Sequence, residues 1–260
     1  MITRLRKSCS RIQGIKFLQN ENTLASGWDT VHDRKVLLKE LSLTAGAYTT
    51  YNHLQCQYLN LPVPRLYHCH NFDSIVVTEC EYVPGKDLFY RLTNGAENNL
   101  NVPNILGQLL YHIKSYQKNN LSHLDIKPEN LIWDSQKEKL SIIDFESMRT
   151  HSATGYQDIK ENIGTPDYTS PEIFYNYKIH RNTDLWNVGM VGYILTMRHN
   201  PLFKNVTDRN NMQTYAKRAM HNANIDPAVS RMVTSLLHPN PEYRSVKPNK
   251  SLWDKIVRFG

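Results

Sequence analysis

The stretch HLDIKPEN, His123 to Asn130, places a carboxylate, an ammonium group and an amide close together, and a second carboxylate follows in IIDFE, Ile142 to Glu146. Groups of these types, framed by apolar residues, are what phosphoryl transfer from a nucleotide requires. That chemistry needs a cation on the phosphates, hard oxygen ligands for a metal ion, and a carboxylate near the acceptor hydroxyl. Each part has a candidate here. Lys39 ends the apolar strand KVLLK, where it can reach the α- and β-phosphates. Asp125 can accept or orient the hydroxyl proton, with Lys127 two residues on to neutralise the γ-phosphate. Asn130 and Asp144 carry the hard oxygens that Mg²⁺ prefers.

Taken singly, these residues also have plain structural roles. A lysine on a strand is usually a solvated charge, and Asp125 and Asn130 can simply brace a turn. Asp144 is harder to read that way: Ile142, Ile143 and Phe145 flank it, and a carboxylate among apolar residues needs a partner. His123 is expected to be structural, not an acid or base. The eleven histidines form no metal-binding cluster in sequence.

The elements that must hold these groups change character along the chain. GIKFLQ, TLASGWDTV and RKVLLKELSL are short apolar runs separated by turn residues, the pattern of a strand meander. A helix is expected around residues 45–59, before the breaker LPVP, and RLYHCHNF and SIVVTECEYV continue as strands. Beyond the VPGKD turn the period lengthens: Ile105, Leu109, Ile113 and Tyr116 recur at helical spacing. LIWD and KLSIIDF suggest a hairpin, and most of the chain after Pro171 is expected to be helical. The change falls near residues 82–88, and ligands commonly bind at such junctions.

Bulk properties narrow the class. The 260 residues are 40% hydrophobic and 21% charged, as in an ordinary folded protein. The net charge of +7 favours anionic ligands, but the basic residues are scattered and nucleic acid is not an expected partner. The basic start MITRLRKSCSRIQ lacks a following apolar run, so no signal peptide is expected. Leu185 to Met197 is too short to span a bilayer and is expected to be a buried helix. Cys9, Cys56, Cys69 and Cys80 form no CxxC pair, so an intracellular, reducing compartment is the default.

HLDIKPEN resembles the catalytic loop of eukaryotic protein kinases, and IIDFE resembles their magnesium-binding segment. The likeness extends to four further motifs in family order. VVTECEYVPGKDLF resembles the hinge between lobes, GTPDYTSPE the end of an activation segment, TDLWNVGMVGYIL the central helix of the large lobe, and NPEYR the late arginine motif. The resemblance implies an α+β, bilobal kinase fold over residues 11–257. Its small N-terminal lobe of antiparallel sheet would cover about 11–82, and its larger, mainly helical lobe about 83–257. It also implies ATP and Mg²⁺ as cofactors, a protein substrate, and no membrane partner.

By the same resemblance Asp125 is the catalytic base, Lys127 the phosphate-neutralising lysine, Asn130 and Asp144 the metal ligands, and Lys39 the phosphate anchor. Glu81 and Val83 would offer backbone groups to adenine, Cys80 would be the gatekeeper, and Asp87 would lie near the ribose. Lys127 and Thr165 resemble the serine/threonine branch, and Glu172 with Arg244 would form a buried ion pair. Lys39 and Asp144 should then face one another across the cleft.

Three departures stand against an active enzyme. FLQNENTL, Phe17 to Leu24, has no glycine where the family has a glycine-rich loop. No Asp or Glu occurs between Glu40 and Asp73, and the position expected for the lysine's glutamate partner falls near Tyr51. Glu146 and Leu124 stand where the family carries glycine and arginine. Without that arginine, activation by a phosphate on the activation segment is not expected. A kinase-like binding or decoy module is therefore the competing function. Small-molecule kinases of the aminoglycoside or choline type share the loop and the IDFE strand, but nothing in them resembles GTPDYTSPE or DLWNVG. The short chain and glycine-less loop suit a viral or pathogen-encoded kinase.

Overall fold

In the computed structural model, residues 2, 5, 9–18, 23–94, 100–203 and 207–245 are described. They fall into two compact units, Met1–Pro84 with Ile143–Glu146, and Gly85–Ile142 with Ser147–Gly260. The 246–257 end of the expected domain and residues 19–22 of the glycine-less loop lie outside the described residues.

The first unit is a five-stranded antiparallel sheet with a helix. Strands β1 (Ile12–Phe17), β2 (Leu24–Asp29), β3 (Arg34–Ser42), β4 (Leu66–Asn71) and β5 (Ile75–Glu81) are ordered β1-β2-β3-β5-β4. Alternation decides the faces: Val36 and Leu38 of β3 join Ile12, Ile15, Ala25 and Val77 in an apolar layer with Ile2 and Leu5. Two fully buried carboxylates, Asp29 and Glu79, lie in the same unit. Arg11 bridges them, at 2.6 Å to Asp29 and 2.5 Å to Glu79. Burial opposes ionisation, yet the His32 and Arg11 hydrogen bonds hold Asp29 well below the usual carboxylate range.

Helix α1 (Leu43–Tyr58) starts at the Ser42 side chain, which accepts from the Ala45 N–H at 3.2 Å. It contains no Asp, Glu, Lys or Arg. Its buried residues are Gly46, Thr49, Asn52, His53 and Cys56, while Tyr48, Tyr51, Leu54 and Tyr58 are exposed.

The second unit is mainly helical. Strand β6 (Lys86–Asp87) leads into α2 (Leu88–Thr93), which is capped by Asp87, and α3 (Val102–Lys118) follows, capped by Asn101. Strands β7 (Leu121–Ser122), β8 (Leu131–Asp134) and β9 (Lys139–Ile142) frame the HLDIKPEN loop, with β8 and β9 forming the expected antiparallel hairpin. Strand β10 (Arg149–Thr150) pairs with β7, and β11 (Tyr156–Asp158) pairs with β12 (Lys178–His180), which follows α4 (Pro171–Asn176). Helix α5 (Thr183–Met197) is buried on every side from Thr183 to Leu195, as its continuous apolar run requires. A Cβ at Gly192 would stand 2.8 Å from Val233, so glycine lets α7 (Pro227–Leu236) approach closely; α6 (Met212–Asn222) packs on α7. The α+β class and the order of sheet then helices agree with the expectation.

Candidate active site

In the sheet unit, β3 carries Lys39 to the Ile143–Glu146 segment, where its Nζ donates to Asp144 Oδ1 at 2.8 Å. Both side chains are about one-third exposed, 30% and 32%. Asp144 has φ +65°, a left-handed conformation that costs a non-glycine residue about 1 kcal/mol. Neighbouring groups hold it there. Asn52 of α1 donates its amide to the Phe145 carbonyl at 2.6 Å, and the buried Phe145 ring meets His53 edge-on at 5.1 Å. His53 in turn bonds the Thr49 carbonyl at 2.9 Å, and burial pushes its pKa down. Burial therefore favours a neutral imidazole near the Lys39–Asp144 pair.

As the sequence indicated, the helix position near Tyr51 offers no carboxylate, and Lys39 finds its partner elsewhere. Tyr51 is 62% exposed and does not face the lysine. The inward face carries Thr49, Asn52 and His53, with no carboxylate, and Asp144 itself is the partner of Lys39. At the end of β5, Cys80 is 8% exposed and burial pushes its thiol up to about 12, so it acts as an apolar filler. The Glu81 N–H is bonded to the Arg65 carbonyl at 2.7 Å and cannot serve a ligand. Val83 follows β5, and no backbone bond from it occurs among the described residues.

In the helical unit the HLDIKPEN loop hangs from Asp184 at the start of α5. The N–H groups of His123 and Leu124 donate to its two oxygens at 2.7 and 2.8 Å. Complete burial pushes the Asp184 carboxyl up to about 6, against the two donors that favour the anion. Leu124 has φ +66°, and Gly164 (φ +86°) lies so close that a Cβ would overlap the Leu124 carbonyl oxygen.

The loop then presents Asp125. Its Oδ1 accepts from the Thr165 N–H at 3.0 Å and the Thr165 hydroxyl at 2.7 Å, while its Oδ2 accepts from Asn130 Nδ2 at 2.9 Å. Lys127 Nζ lies 3.1 Å from Oδ2 and donates to the Thr165 hydroxyl oxygen at 2.6 Å. One carboxylate is thus oriented by three side chains, with little freedom left in its plane. Asp87 sits at the N-cap of α2, where Oδ1 accepts from the Tyr90 N–H at 2.7 Å.

Where arginine was expected, Leu124 is buried with Ile163, Ile173 and Ile179, and Ile159 packs against them. Apolar contacts and the β11–β12 pairing therefore tie the Asp144–Glu172 segment to α4 and β12. Glu172 and Arg244 form a bidentate pair at 2.6 and 2.7 Å, both buried, with Thr183 adding a hydroxyl to Glu172 at 2.9 Å.

Some of this was not visible in the residue pattern. Asp184 had a signal, a carboxylate opening an apolar helix that must find donors. Asn52 and Glu129 had none. Glu129 Oε2 is buried without a hydrogen-bond partner among the described residues, and burial raises its pKa.

Asn130 in the helical unit and Asp144 in the sheet unit each carry hard oxygen atoms of the type Mg²⁺ takes. Asn130 spends its amide nitrogen on the Asp125 carbonyl and carboxylate, both at 2.9 Å, which leaves Oδ1 as the atom turned away from Asp125. Asp144 contributes a carboxylate. No group of three or more His, Cys, Asp or Glu placed to hold a metal ion occurs among the described residues. Mg²⁺ does not need one, since it keeps water and binds through few protein oxygens plus substrate phosphates.

A family model described as a protein kinase domain matches residues 53–251, well over half of the chain. Lys39 and the first three strands precede the matched segment. A human myosin light chain kinase family member 4 is 31% identical over 134 residues, 50% of this chain and 34% of the relative. A Caenorhabditis briggsae calcium/calmodulin-dependent protein kinase type 1 is 28% identical over 54% of this chain and 40% of its own length. A mouse myosin light chain kinase 3 is 31% identical over 57% of this chain and 19% of its own. The matched stretches therefore span less than half of these curated relatives. Among the described residues no helix is long and apolar enough to cross a membrane.

Proposed function

This chain belongs to the protein kinase family, and on that premise we propose that it transfers the γ-phosphoryl group of ATP to serine or threonine hydroxyls of a protein. The orientation of Asp125 carries the reading: Thr165, Asn130 and Lys127 converge on one carboxylate. A turn braced only for stability would not need a lysine and a hydroxyl aimed at the same acceptor.

In this reading Asp125 orients the acceptor hydroxyl and takes its proton, and Lys127 neutralises charge on the transferred group. Thr165 holds both, and its place beside Lys127 supports the serine/threonine branch. Lys39 anchors the α- and β-phosphates, Val83 and Glu81 offer backbone to the adenine, and Asp87 lies near the ribose. With the Glu81 N–H already spent, Val83 is the stronger of the two contacts. Asn130 and Asp144 would hold Mg²⁺, which would supply positive charge to offset that of the phosphates. The domain runs from about 11 to 257. A reducing, intracellular setting is supported by free cysteines at 9, 56, 69 and 80.

A second reading, a kinase-like binding module, is favoured by α1, whose inward face lacks a carboxylate. Two substitutions separate the readings. Asp144→Ala should weaken Mg-ATP binding and transfer together. Asp125→Ala should leave Mg-ATP affinity nearly intact and lower turnover by about 10² or more. If the parent binds Mg-ATP no better than Asp144→Ala and transfers no radiolabelled phosphate, the enzyme reading is wrong.

A further inference from the structure

We propose that Arg209 is a positioning residue for the protein acceptor, pinning the turn Pro166–Thr169 against which the acceptor chain must lie. This rests on the phosphotransfer reading above. Arg209 is 9% exposed, and no carboxylate lies within ion-pair distance of it among the described residues. Its Nε donates to the Thr169 carbonyl at 2.9 Å, and a terminal nitrogen donates to the Pro166 carbonyl at 2.5 Å. The guanidinium carbon lies over the Phe174 ring, 3.6 Å from its centre. The Tyr175 hydroxyl and the Asp167 charge also favour the cation, yet burial without an ion-paired carboxylate remains costly. Two carbonyl dipoles and an aromatic face offset that cost here.

Counting the carbonyls of the turn shows what Arg209 supplies. The Thr165 carbonyl takes the Tyr168 N–H and the Thr169 hydroxyl, and the Tyr168 carbonyl takes Asn187 Nδ2 at 3.0 Å. The Pro166 carbonyl has only a long 3.2 Å bond from the Thr169 N–H besides Arg209. For the Thr169 carbonyl, Arg209 is the donor found. The two ends of the turn are therefore tied together by one planar side chain from a distant part of the sequence. Lysine, with a single ammonium on a flexible stem, cannot span both.

The turn's place gives the pin its consequence. Thr165, immediately before it, is bonded to Asp125 through both its N–H and its hydroxyl. An acceptor hydroxyl has to reach Asp125, so the polypeptide carrying it passes beside Thr165 and the residues that follow. Loosening the turn should disturb acceptor binding and spare the nucleotide.

The test compares the parent with Arg209→Lys and Arg209→Ala, using casein as acceptor. Four quantities are read: KM for casein, Mg-ATP affinity, ATP hydrolysis without acceptor, and amide hydrogen exchange over residues 165–170. Both variants should raise the casein KM by about tenfold or more, as loss of charge-assisted bonds implies. Mg-ATP affinity and acceptor-free hydrolysis should stay within about twofold, and exchange should quicken in the turn alone. Parent-like KM in Arg209→Lys would overturn the proposal, because charge alone would then suffice. So would a parallel loss of nucleotide affinity and hydrolysis, which marks general structural damage, or an unchanged exchange rate. If the parent itself transfers nothing to casein, the phosphotransfer reading has failed, and exchange over the turn decides whether Arg209 pins it.

Discussion

The two groups of proposed catalytic residues are built differently. In the sheet unit Lys39 has one carboxylate, about one-third exposed, and the helix behind it offers only neutral side chains. In the helical unit Asp125 is 13% exposed and bonded to three side chains, and its loop hangs from the buried Asp184. The family match begins at residue 53, within the sheet unit, and leaves out Lys39 while covering the whole HLDIKPEN loop. Acceptor-side geometry is fixed by several hydrogen bonds to one carboxylate. On the nucleotide side a partly exposed ion pair sits on a left-handed backbone that Asn52 and His53 support.

The contrast is sharpest where an ion pair is removed from each unit. Arg244→Met leaves Glu172 charged and buried, and should destabilise the protein by about 3–5 kcal/mol, measured by denaturant unfolding. Lys39→Met should change stability by less than about 1 kcal/mol, since its partner is solvated. It should nevertheless lower turnover by about 10², the loss expected for one preorganised electrostatic contact. If Lys39→Met turns ATP over like the parent, Lys39 is not the phosphate anchor and the sheet unit holds nucleotide by other means.

Acidity probes the helical unit through Asp184. The folded pKa of Asp184 lies above the ordinary carboxylate value, at about 6, so the native state binds its proton more tightly than the unfolded chain. Its contribution is fully favourable below about pH 4 and is lost as pH rises towards about 6. The loss should be on the order of 3 kcal/mol. Thermal melts of the parent and Asp184→Asn across that window should diverge in slope, with the variant the flatter. Parallel slopes would mean that the two backbone donors already keep the carboxylate ionised.

The smallest effect concerns the activation segment. Leu124 cannot pair with a phosphate, and Ile159, Ile163, Ile173 and Ile179 already enclose it. Phosphatase treatment should leave turnover unchanged within error. A marked fall would show that a phosphate elsewhere on the segment does what the apolar cluster is credited with.

How far the sequence could be read follows from what each signal depends on. The strand meander, α3 and the β8–β9 hairpin were legible because their burial repeats locally, every two or every three to four residues. HLDIKPEN and IIDFE were legible because several polar types are crowded among apolar ones. The phase of α1 was not. With Tyr, Thr, Asn, His and Leu on both faces and no charge to mark the outside, Tyr51 was as plausible an inward residue as Thr49 or His53. Strands β7, β10, β11 and β12 are two or three residues long, too short to show a period. Asn52 and Arg209 act on backbone carbonyls far away in sequence, and a carbonyl leaves no trace in residue identity.

The cluster around Leu124 also bears on how such a protein can be governed in time. A phosphate that orders a loop can be removed in seconds by another enzyme, so output follows a reversible mark. Leucine and isoleucine methyl groups offer no bond to cleave. A segment held by them is set when the chain folds and stays set until it is degraded, so output tracks the number of copies made and destroyed.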